Sequence, residues 1–525
     1  MGVFLFVEQN MTFNISNMLR PGVYDHPVND LRLIETHISW VILTGEYAYK
    51  IKKPVDFGFL DFSTLKKRKR YCEQELRLNR RLAPGLYLDI VTITGSIDDP
   101  HISGDAEIIE YAVKMAQFPQ SAQLDNMLVA GELSFEHMDA FAHMIADFHQ
   151  RIEVADKTVD YGDNQFVFQP VEENYSQIEQ HIDTTPYRAT LRTIREWSRS
   201  MSARLDSDFK QRKHDGFIRE CHGDMHLRNM IWLKEQAMAF DCIEFNAALR
   251  WIDVISEAAF LVMDLQDRQQ QQFANHFLNS YLEITGDYAG LSVLSFYLAY
   301  RAMVRAKVNA LRLEQKNINA EEKKQARLAF ESYLALALSY TEQSQPKLII
   351  MRGLSASGKS TLSQQLVDMI GAIRIRSDVE RKRMFDREHT GDTKSEVDQG
   401  IYTSQASEQT YSRLQELASH ILNSGYSVIV DAAFLKHEQR HPFQLLAESL
   451  GVRYNILEIT APPDTLRQRI IERKHDVSDA DLAVLEHQLS NWQALHDCEL
   501  ISAITVNTAE PVDMDKLIEK INTEV

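Results

Sequence analysis

An apolar run, Trp40-Val41-Ile42-Leu43, and the mixed Tyr47-Ala48-Tyr49-Lys50-Ile51-Lys52 lie on either side of Thr44-Gly45-Glu46, which predicts a hairpin over about 38–55 turning there. A charged amphipathic stretch at 64–82 predicts a helix, and helical periodicity dominates from about 132 to 340. Strands first and helices later point to a small β-rich lobe over about 30–115 and an α-rich lobe over about 120–340. The polar run Thr341-Glu342-Gln343-Ser344-Gln345-Pro346 reads as a linker that closes a first domain at 1–340. Beyond it the pattern changes. Short apolar strands at 347–352, 372–376, 427–430, 454–459 and 503–506 alternate with helical stretches, which predicts an α/β domain with a doubly wound parallel sheet over 347–525.

The turn after the first of those strands carries the clearest chemistry. Gly353-Leu354-Ser355-Ala356-Ser357-Gly358-Lys359-Ser360 has two glycines five apart followed by Lys and Ser, the phosphate-binding loop pattern, and Thr361 continues into a helix. Successive N–H groups of such a loop wrap an anion, and the helix N-terminus adds partial positive charge. These nine residues are the expected nucleotide-binding set, with Lys359 reaching the outer phosphates as a catalytic charge and Ser360 meeting the metal. ATP and Mg²⁺ are the expected cofactors.

Bulk properties narrow the partners. A chain of 525 residues implies two or three domains. Its 44% hydrophobic and 25% charged composition is that of a soluble globular protein, and charges interrupt every apolar run short of a membrane helix. The opening Met1-Gly2-Val3-Phe4-Leu5-Phe6-Val7 lacks basic flanks and a small-residue cleavage site, so it does not read as a signal peptide. Cys72, Cys221, Cys242 and Cys498 form no CxxC pair, which argues against a disulfide framework or zinc site and makes a reducing cytoplasm the natural compartment. The formal net charge of −18 disfavours nucleic acid and anionic membrane as partners. The basic run Lys66-Lys67-Arg68-Lys69-Arg70 is expected to be a solvated helix face.

A second constellation lies upstream. Cys221-His222-Gly223-Asp224-Met225-His226-Leu227-Arg228-Asn229 places an Asp five residues before an Asn, and Ala239-Phe240-Asp241 supplies a further Asp. In kinases an Asp at this spacing accepts the substrate hydroxyl proton, the Asn ligates Mg²⁺, and the later Asp bridges metal and phosphates. His222-Gly223-Asp224, Asn229 and Asp241 resemble the motifs of the aminoglycoside phosphotransferase family, small-molecule kinases on the protein-kinase-like fold; the resemblance covers about 30–310. It implies an α+β bilobal protein-kinase-like domain in which Asp224 is the base, and Asn229 and Asp241 hold Mg²⁺. It also implies that Lys50 of Tyr47-Ala48-Tyr49-Lys50 pairs the phosphates and that Glu75 partners this lysine, with Glu73 as rival. Asp56-Phe57-Gly58 spells the kinase metal motif in the wrong place and is expected to be a turn. Glu35-Thr36-His37-Ile38-Ser39, where the phosphate-covering turn should fall, has no glycine. His149 and His226 are expected to be packing histidines.

The C-terminal domain resembles adenylate-kinase-like P-loop kinases, a group holding small-metabolite and polynucleotide kinases. The resemblance implies Asp378 of Ser377-Asp378-Val379-Glu380-Arg381 as base, with Arg381 orienting substrate. It also implies the strand-end Asp431 as a metal-holding group, with helix capping as the alternative. Arg469 and Arg473 lie four apart on one helical face, and Arg473 is the expected lid arginine that neutralises the transferring phosphoryl group. The whole order of parts resembles bacterial bifunctional aminoglycoside phosphotransferase/ATP-binding proteins. The implied activity is ATP-dependent phosphoryl transfer to a hydroxyl of a small molecule. Two other readings stay open: an ATP-driven switch whose first domain only binds ligand, and a nucleic-acid end kinase, which the acidic balance counts against. Acceptor identity and oligomeric state leave no mark in the sequence.

Overall fold

The computed structural model describes residues 13–56, 58, 60–315, 318–385, 404–472 and 482–523; the opening apolar segment lies outside them. The chain forms two compact units, Met1–Val167 with Lys210–Leu261, and Phe168–Phe209 with Val262–Val525.

The first unit is built on a six-stranded antiparallel sheet, β1 (Arg32–Glu35), β2 (Ser39–Leu43), β3 (Tyr47–Lys52), β4 (Tyr87–Gly95), β5 (Pro100–Ile102) and β6 (Ile108–Ala116), in the order β1-β2-β3-β6-β4-β5. The hairpin expected at 38–55 is β2 with β3, where Lys50 stands opposite Val41. Helix α1 (Leu65–Asn79) starts where Thr64 accepts a hydrogen bond from the Lys67 N–H. Its buried stripe runs through Arg68, Cys72, Glu75 and Asn79 at helical spacing. Arg68 belongs to the basic run expected to face solvent. It is instead buried, with Nε 2.8 Å from Glu110 Oε2, because its place in that stripe turns it inward. Lys66, Lys69 and Arg70 are exposed as expected. Tyr49 and Ile51 pack into the core formed by Ile42, Ile93 and Ala112, so Lys50 and Lys52, one residue out of step, take the opposite face.

The α-rich part of this unit contains helix α2 (Phe135–Arg151) and the first turns of helix α3 (Val254–Asp267). Two short antiparallel pairs lie between them in sequence: β7 (Ile218–Glu220) with β10 (Trp251–Asp253), and β8 (Met230–Leu233) with β9 (Gln236–Ala239).

The second unit carries the expected parallel sheet: β11 (Lys347–Arg352), β12 (Ile373–Arg376), β13 (Val428–Asp431), β14 (Arg453–Thr460) and β15 (Ala503–Asn507), ordered β12-β13-β11-β14-β15. The chain fills one side of β11 and then the other. That reversal creates a crevice beyond the strand C-termini, the usual ligand position in open α/β sheets. The linker 341–346 lies inside this unit, which also takes in the helical residues Val262–Ser339. Helix α4 (Gln271–Thr285) runs along the edge strand β12, beside helix α5 (Lys359–Ile370). Asn279 Nδ2 donates to the Ala372 carbonyl at 3.1 Å, and its Oδ1 accepts from the Arg374 N–H at 2.8 Å, as a neighbouring strand would. One turn earlier, Asn275 Nδ2 donates to the Asp368 carbonyl at 2.9 Å, and His276 Nδ1 lies 2.9 Å from Asp368 Oδ1.

Among the described residues no helix is long and apolar enough to cross a membrane. All four cysteines are free thiols, and only Cys498 is exposed.

Asn279→Ala strips two buried backbone groups of β12 of their partners. It is expected to destabilise the second unit by about 2–3 kcal/mol. Urea unfolding with hydrogen exchange of 372–376 checks this: exchange there should rise before that of β11.

Candidate active sites

In the first unit, β3 and α1 bring together a chain of alternating charges. Glu75 is fully buried and divides its carboxylate, Oε1 to Lys50 Nζ and Oε2 to Lys52 Nζ, each at 2.7 Å. Lys50 also pairs with Asp241, and Lys52 with Glu244. The rival Glu73 lies on the exposed side of α1, 4.0 Å from Lys69. Burial opposes the charge on Lys50, but Asp241 and Glu75 outweigh it and raise its pKa well above the usual lysine value. Burial alone would raise Glu75; Lys50 and Lys52 together bring it down to about 2. Burial dominates at Glu244, whose pKa is raised despite Lys52.

Asp241 follows β9 with its backbone in the left-handed region, φ +63°. Its N–H donates to the Tyr87 hydroxyl at 3.0 Å, and the next N–H, of Cys242, donates to Asn79 Oδ1 at 2.9 Å. Asn79 sits four residues after Glu75, so a single helix face holds both the lysine partner and the Asp241 loop.

The loop 221–229 is held by buried polar groups rather than by a ladder. Glu257, on α3, accepts from the Gly223 N–H at 2.6 Å with one oxygen and lies 2.9 Å from His149 Nε2 with the other. Gly223 has φ +89°, and a Cβ there would stand 2.7 Å from the Leu249 carbonyl, so only glycine passes. His222 is buried, which lowers its pKa and keeps it neutral; one ring nitrogen faces the Phe240 carbonyl at 2.9 Å and the other accepts from the Asp224 N–H at 3.3 Å. Asn229 Nδ2 donates to the Asp224 carbonyl and to Asp224 Oδ2, both at 2.9 Å, so Oδ1 is the side-chain atom Asn229 could offer a metal. His226 Nδ1 accepts from the Arg228 N–H at 3.3 Å, so Nε2 carries the proton toward Asp224 Oδ2, 3.5 Å away. Both histidines expected to be packing residues are buried, but each contacts a carboxylate.

Lys50, Glu75 and Asp241 thus form one cluster and Asp224 with Asn229 another, and His222 touches the backbone of both loops, at the Phe240 carbonyl and the Asp224 N–H. The oxygen-rich set Asn229–Asp241, beside a lysine and a carboxylate excess, has the hard-donor chemistry a Mg²⁺ ion requires. The Asp56 segment forms a turn, with the Gly58 N–H donating to Asp56 Oδ1 at 2.9 Å; Phe57 lies outside the described residues. Where glycine was missing, Thr36 closes the β1–β2 turn: its Oγ1 donates to the Ser39 carbonyl at 3.1 Å and accepts from the Ser39 N–H at 3.0 Å.

In the second unit, Gly353-Leu354-Ser355-Ala356-Ser357-Gly358 joins β11 to α5, which begins at Lys359. Ala356 and Gly358 take positive φ, +63° and +91°. A Cβ at Gly353 would stand 2.6 Å from the Ile459 carbonyl and 2.7 Å from Ser357 Oγ. Ser357 Oγ is itself buried without a hydrogen-bond partner among the described residues, an orphaned hydroxyl inside a loop shaped to wrap an anion. Lys359 Nζ donates to the Leu354 carbonyl at 2.9 Å, while Ser360 and Thr361 are exposed at the helix start. The Ser355 N–H donates to Gln488 Oε1 at 2.7 Å.

Asp431 ends β13 and accepts from Ser363 Oγ, one turn along α5 from Ser360, at 3.1 Å. It caps no helix, since the next one is capped at Lys436. Asp378, in the first turn of helix α6 (Ser377–Phe385), pairs with Arg376 at 2.7 Å, and Arg381 Nε reaches Thr410 Oγ1 at 3.4 Å. Arg473 lies outside the described residues. Arg469, four residues earlier, braces the loop, donating to the Ala356 carbonyl at 3.2 Å and the Thr508 carbonyl at 2.7 Å.

Sequence reasoning missed Lys52, Tyr87, Asn79, Glu244 and Glu257 in the first site, and Arg374, Arg376, Gln488 and Thr508 in the second. The period-two argument for Lys50 extends to Lys52, and on β12 it pairs Arg374 with Arg376. The others meet their sites only through tertiary structure.

These two arrangements are a cluster of kinase-type motif residues in the first unit and a P-loop in the α/β sheet of the second. Residues 348–495 match the AAA domain family (AAA_33). The uncharacterized protein Rv2004c of Mycobacterium tuberculosis is 31% identical over 478 residues, spanning 90% of this chain and 93% of that protein, and Mb2027c of Mycobacterium bovis matches to the same extent. The chain belongs to the family of these proteins. Among solved structures it is similar to the amicoumacin kinase hAmiN (12% identity, TM-score 0.38, 60% of this chain and 90% of that one). It is also similar to a putative kinase from Chloroflexus aurantiacus (24% identity, TM-score 0.27, 34% and 97%).

The pKa of Glu75 gives a signed prediction. Because it falls from about 4.5 to about 2 on folding, its pairing stabilises the protein fully above the higher value and is lost as pH drops through the lower. Glu75→Gln is therefore expected to cost about 3–5 kcal/mol near pH 7, and markedly less near pH 3. Urea titrations of both proteins at the two pH values check this.

Proposed function

We propose that the protein is an ATP-dependent phosphotransferase with two nucleotide-using modules, acting on a hydroxyl group of a small molecule. The observation that supports this reading is the pairing of Lys50 with both Glu75 and Asp241, together with the Asn229 amide held on the Asp224 carboxylate. Bound Mg²⁺-ATP would supply the phosphoryl donor and the counter-charge for it. In the first module Lys50, kept protonated by its two carboxylates, pairs phosphate oxygens, and Asn229 Oδ1 and Asp241 hold the metal. Asp224 accepts the hydroxyl proton while Asn229 Nδ2 and the His226 N–H fix its carboxylate. In the second module the loop N–H groups from Gly353 to Thr361, together with Lys359, hold phosphates. Ser360 and Asp431 hold the metal there, Asp378 serves as base, and Arg473 neutralises charge on the transferring group.

The acidic net charge favours a small acceptor over a nucleic-acid end. The sequence resemblance to bifunctional aminoglycoside phosphotransferase/ATP-binding proteins makes aminoglycosides one candidate acceptor class, with a housekeeping metabolite as the other. A reducing cytoplasm fits four free thiols. One observation favours a second reading, in which the first module binds ligand without transferring phosphate: its β1–β2 turn is closed by Thr36 instead of presenting glycine N–H groups.

The test follows Mg²⁺-dependent loss of the ATP γ-phosphate in the presence of a metabolite extract, with phosphate traced by mass spectrometry. Wild type is compared with Asp224→Ala and Lys359→Ala. A phosphorylated metabolite whose formation drops roughly 10²–10⁴-fold in one variant assigns the acceptor to that module. Free phosphate alone, abolished only by Lys359→Ala, selects the binding reading. Full phosphotransfer by the double variant would sink both assignments.

A further inference from the structure

The AAA-domain match begins at residue 348, yet the polar groups around the P-loop reach back to α4. Glu283, on the same face of α4 as Asn275, His276 and Asn279, divides its carboxylate between two arginines. Oε2 lies 3.2 Å from Arg374 Nη2, and Oε1 lies 3.2 Å from Arg376 Nη1. Both guanidinium groups are nearly buried, with 9% and 12% of the side chain exposed, and neither Nε has a hydrogen-bond partner among the described residues. Glu283 is therefore a principal restraint on both. Each arginine then touches one half of the site. Arg374 Nη1 donates to the Ser360 carbonyl and to Ser363 Oγ, both at 3.3 Å, and Ser363 donates in turn to Asp431. Arg376 Nη2 donates to Asp378 Oδ2 at 2.7 Å. The backbone repeats the connection: Arg383 of α6 donates to the Glu283 carbonyl and pairs with Glu380.

We infer that Glu283 is a positioning residue of the P-loop site, holding Arg374 on the first turn of α5 and Arg376 on Asp378 from outside the P-loop domain's own sequence. The inference rests on the reading of that loop as a nucleotide site. A glutamine there keeps the shape but can accept through only one atom and presents an NH₂ group to the other arginine, so one of the two contacts is lost. The arginine that faces the NH₂ group then keeps only its contacts on the site side, the Ser360 carbonyl and Ser363 for Arg374 or Asp378 for Arg376, and loses its fixed orientation.

The experiment uses the full chain with Asp224→Ala throughout, so that hydrolysis of Mg²⁺-ATP reports the second site. Glu283→Gln is expected to lower kcat about tenfold while the KM for Mg²⁺-ATP stays within about threefold, the split of a group that orients without touching nucleotide. In the nucleotide-free protein, hydrogen exchange should accelerate in peptides covering 359–368 and 374–383 and stay unchanged in β14 and β15. Asn275→Ala, which loosens the docking of α4 without touching either arginine, should leave kcat within about threefold. Wild-type kcat and exchange in Glu283→Gln, where Lys359→Ala is inactive, would overturn the inference and spare the nucleotide reading. Equal losses in Glu283→Gln and Asn275→Ala, with exchange raised throughout the sheet, would also overturn it by showing a purely structural role. Unchanged hydrolysis in Lys359→Ala would remove the nucleotide reading and this inference together.

Discussion

The first unit depends on one buried carboxylate held between two lysines. Glu75 is wholly out of water, and so is Lys52, an arrangement that is costly unless every charge has a partner on each side. Here the condition is met by alternation: Asp241, Lys50, Glu75, Lys52 and Glu244 follow one another from the partly exposed end of the chain to the buried one. Lys50 and Lys52 reach the same carboxylate because two residues of β-strand bring side chains back to one face. Glu75 can divide its oxygens between them only while α1 is held against this sheet, where it packs on β4 and β6. The ion chain is thus also a geometric constraint, fixing helix against strand and both against the loop that bears Asp241.

That loop and its neighbour at 221–229 are irregular backbone, and irregular backbone in a buried place must find its hydrogen bonds in side chains. Asn79 supplies one for Cys242, Tyr87 one for Asp241, and Glu257 one for Gly223. His222 is neutral and uses one nitrogen as donor and one as acceptor, the only protonation state that satisfies both of its backbone contacts. Such a network is rigid because each member is the partner of another, and low local dielectric makes an unpaired member costly. A rigid frame of this kind is what the proposed phosphoryl transfer would need, since that chemistry consists of positioning and charge neutralisation.

How much of this was legible in the sequence depends on the range of the interaction. The P-loop, its flanking strand and helix, and the parallel sheet follow from local period and turn chemistry, and all are present. Lys52 was equally legible, since the alternation that singles out Lys50 includes it. The choice between Glu73 and Glu75 was not decidable from spacing to Lys50. It is decided by the stripe that Glu75 shares with Arg68, Cys72 and Asn79, and that stripe also turned Arg68 inward against a compositional expectation of solvent exposure. Glu244, Glu257 and Glu283 carry no local mark, because an acidic residue on a helix or loop has the same neighbours in sequence whether it faces water or a buried arginine. Thr36 is an intermediate case: the absence of glycine was visible, but the hydroxyl that closes the turn in its place was not.

The same distinction bears on what counts as a domain in the second unit. The AAA-type segment is delimited by the residues that make its loop and central strands, but a parallel sheet must also have its edges dealt with. Strand β12 is such an edge, and it carries Arg374 and Arg376 alternating with buried Ile373 and Ile375. Two arginines on an edge strand would ordinarily project into water and shield it from further pairing. Here α4 covers the edge, Asn279 completes the backbone pairing, and Glu283 compensates the arginines that have thereby lost their solvent. Covering the edge and compensating the charge are one requirement, since neither is tolerable without the other. The sequence segment that identifies the P-loop fold is consequently shorter than the set of residues that makes its sheet edge and its polar site complete.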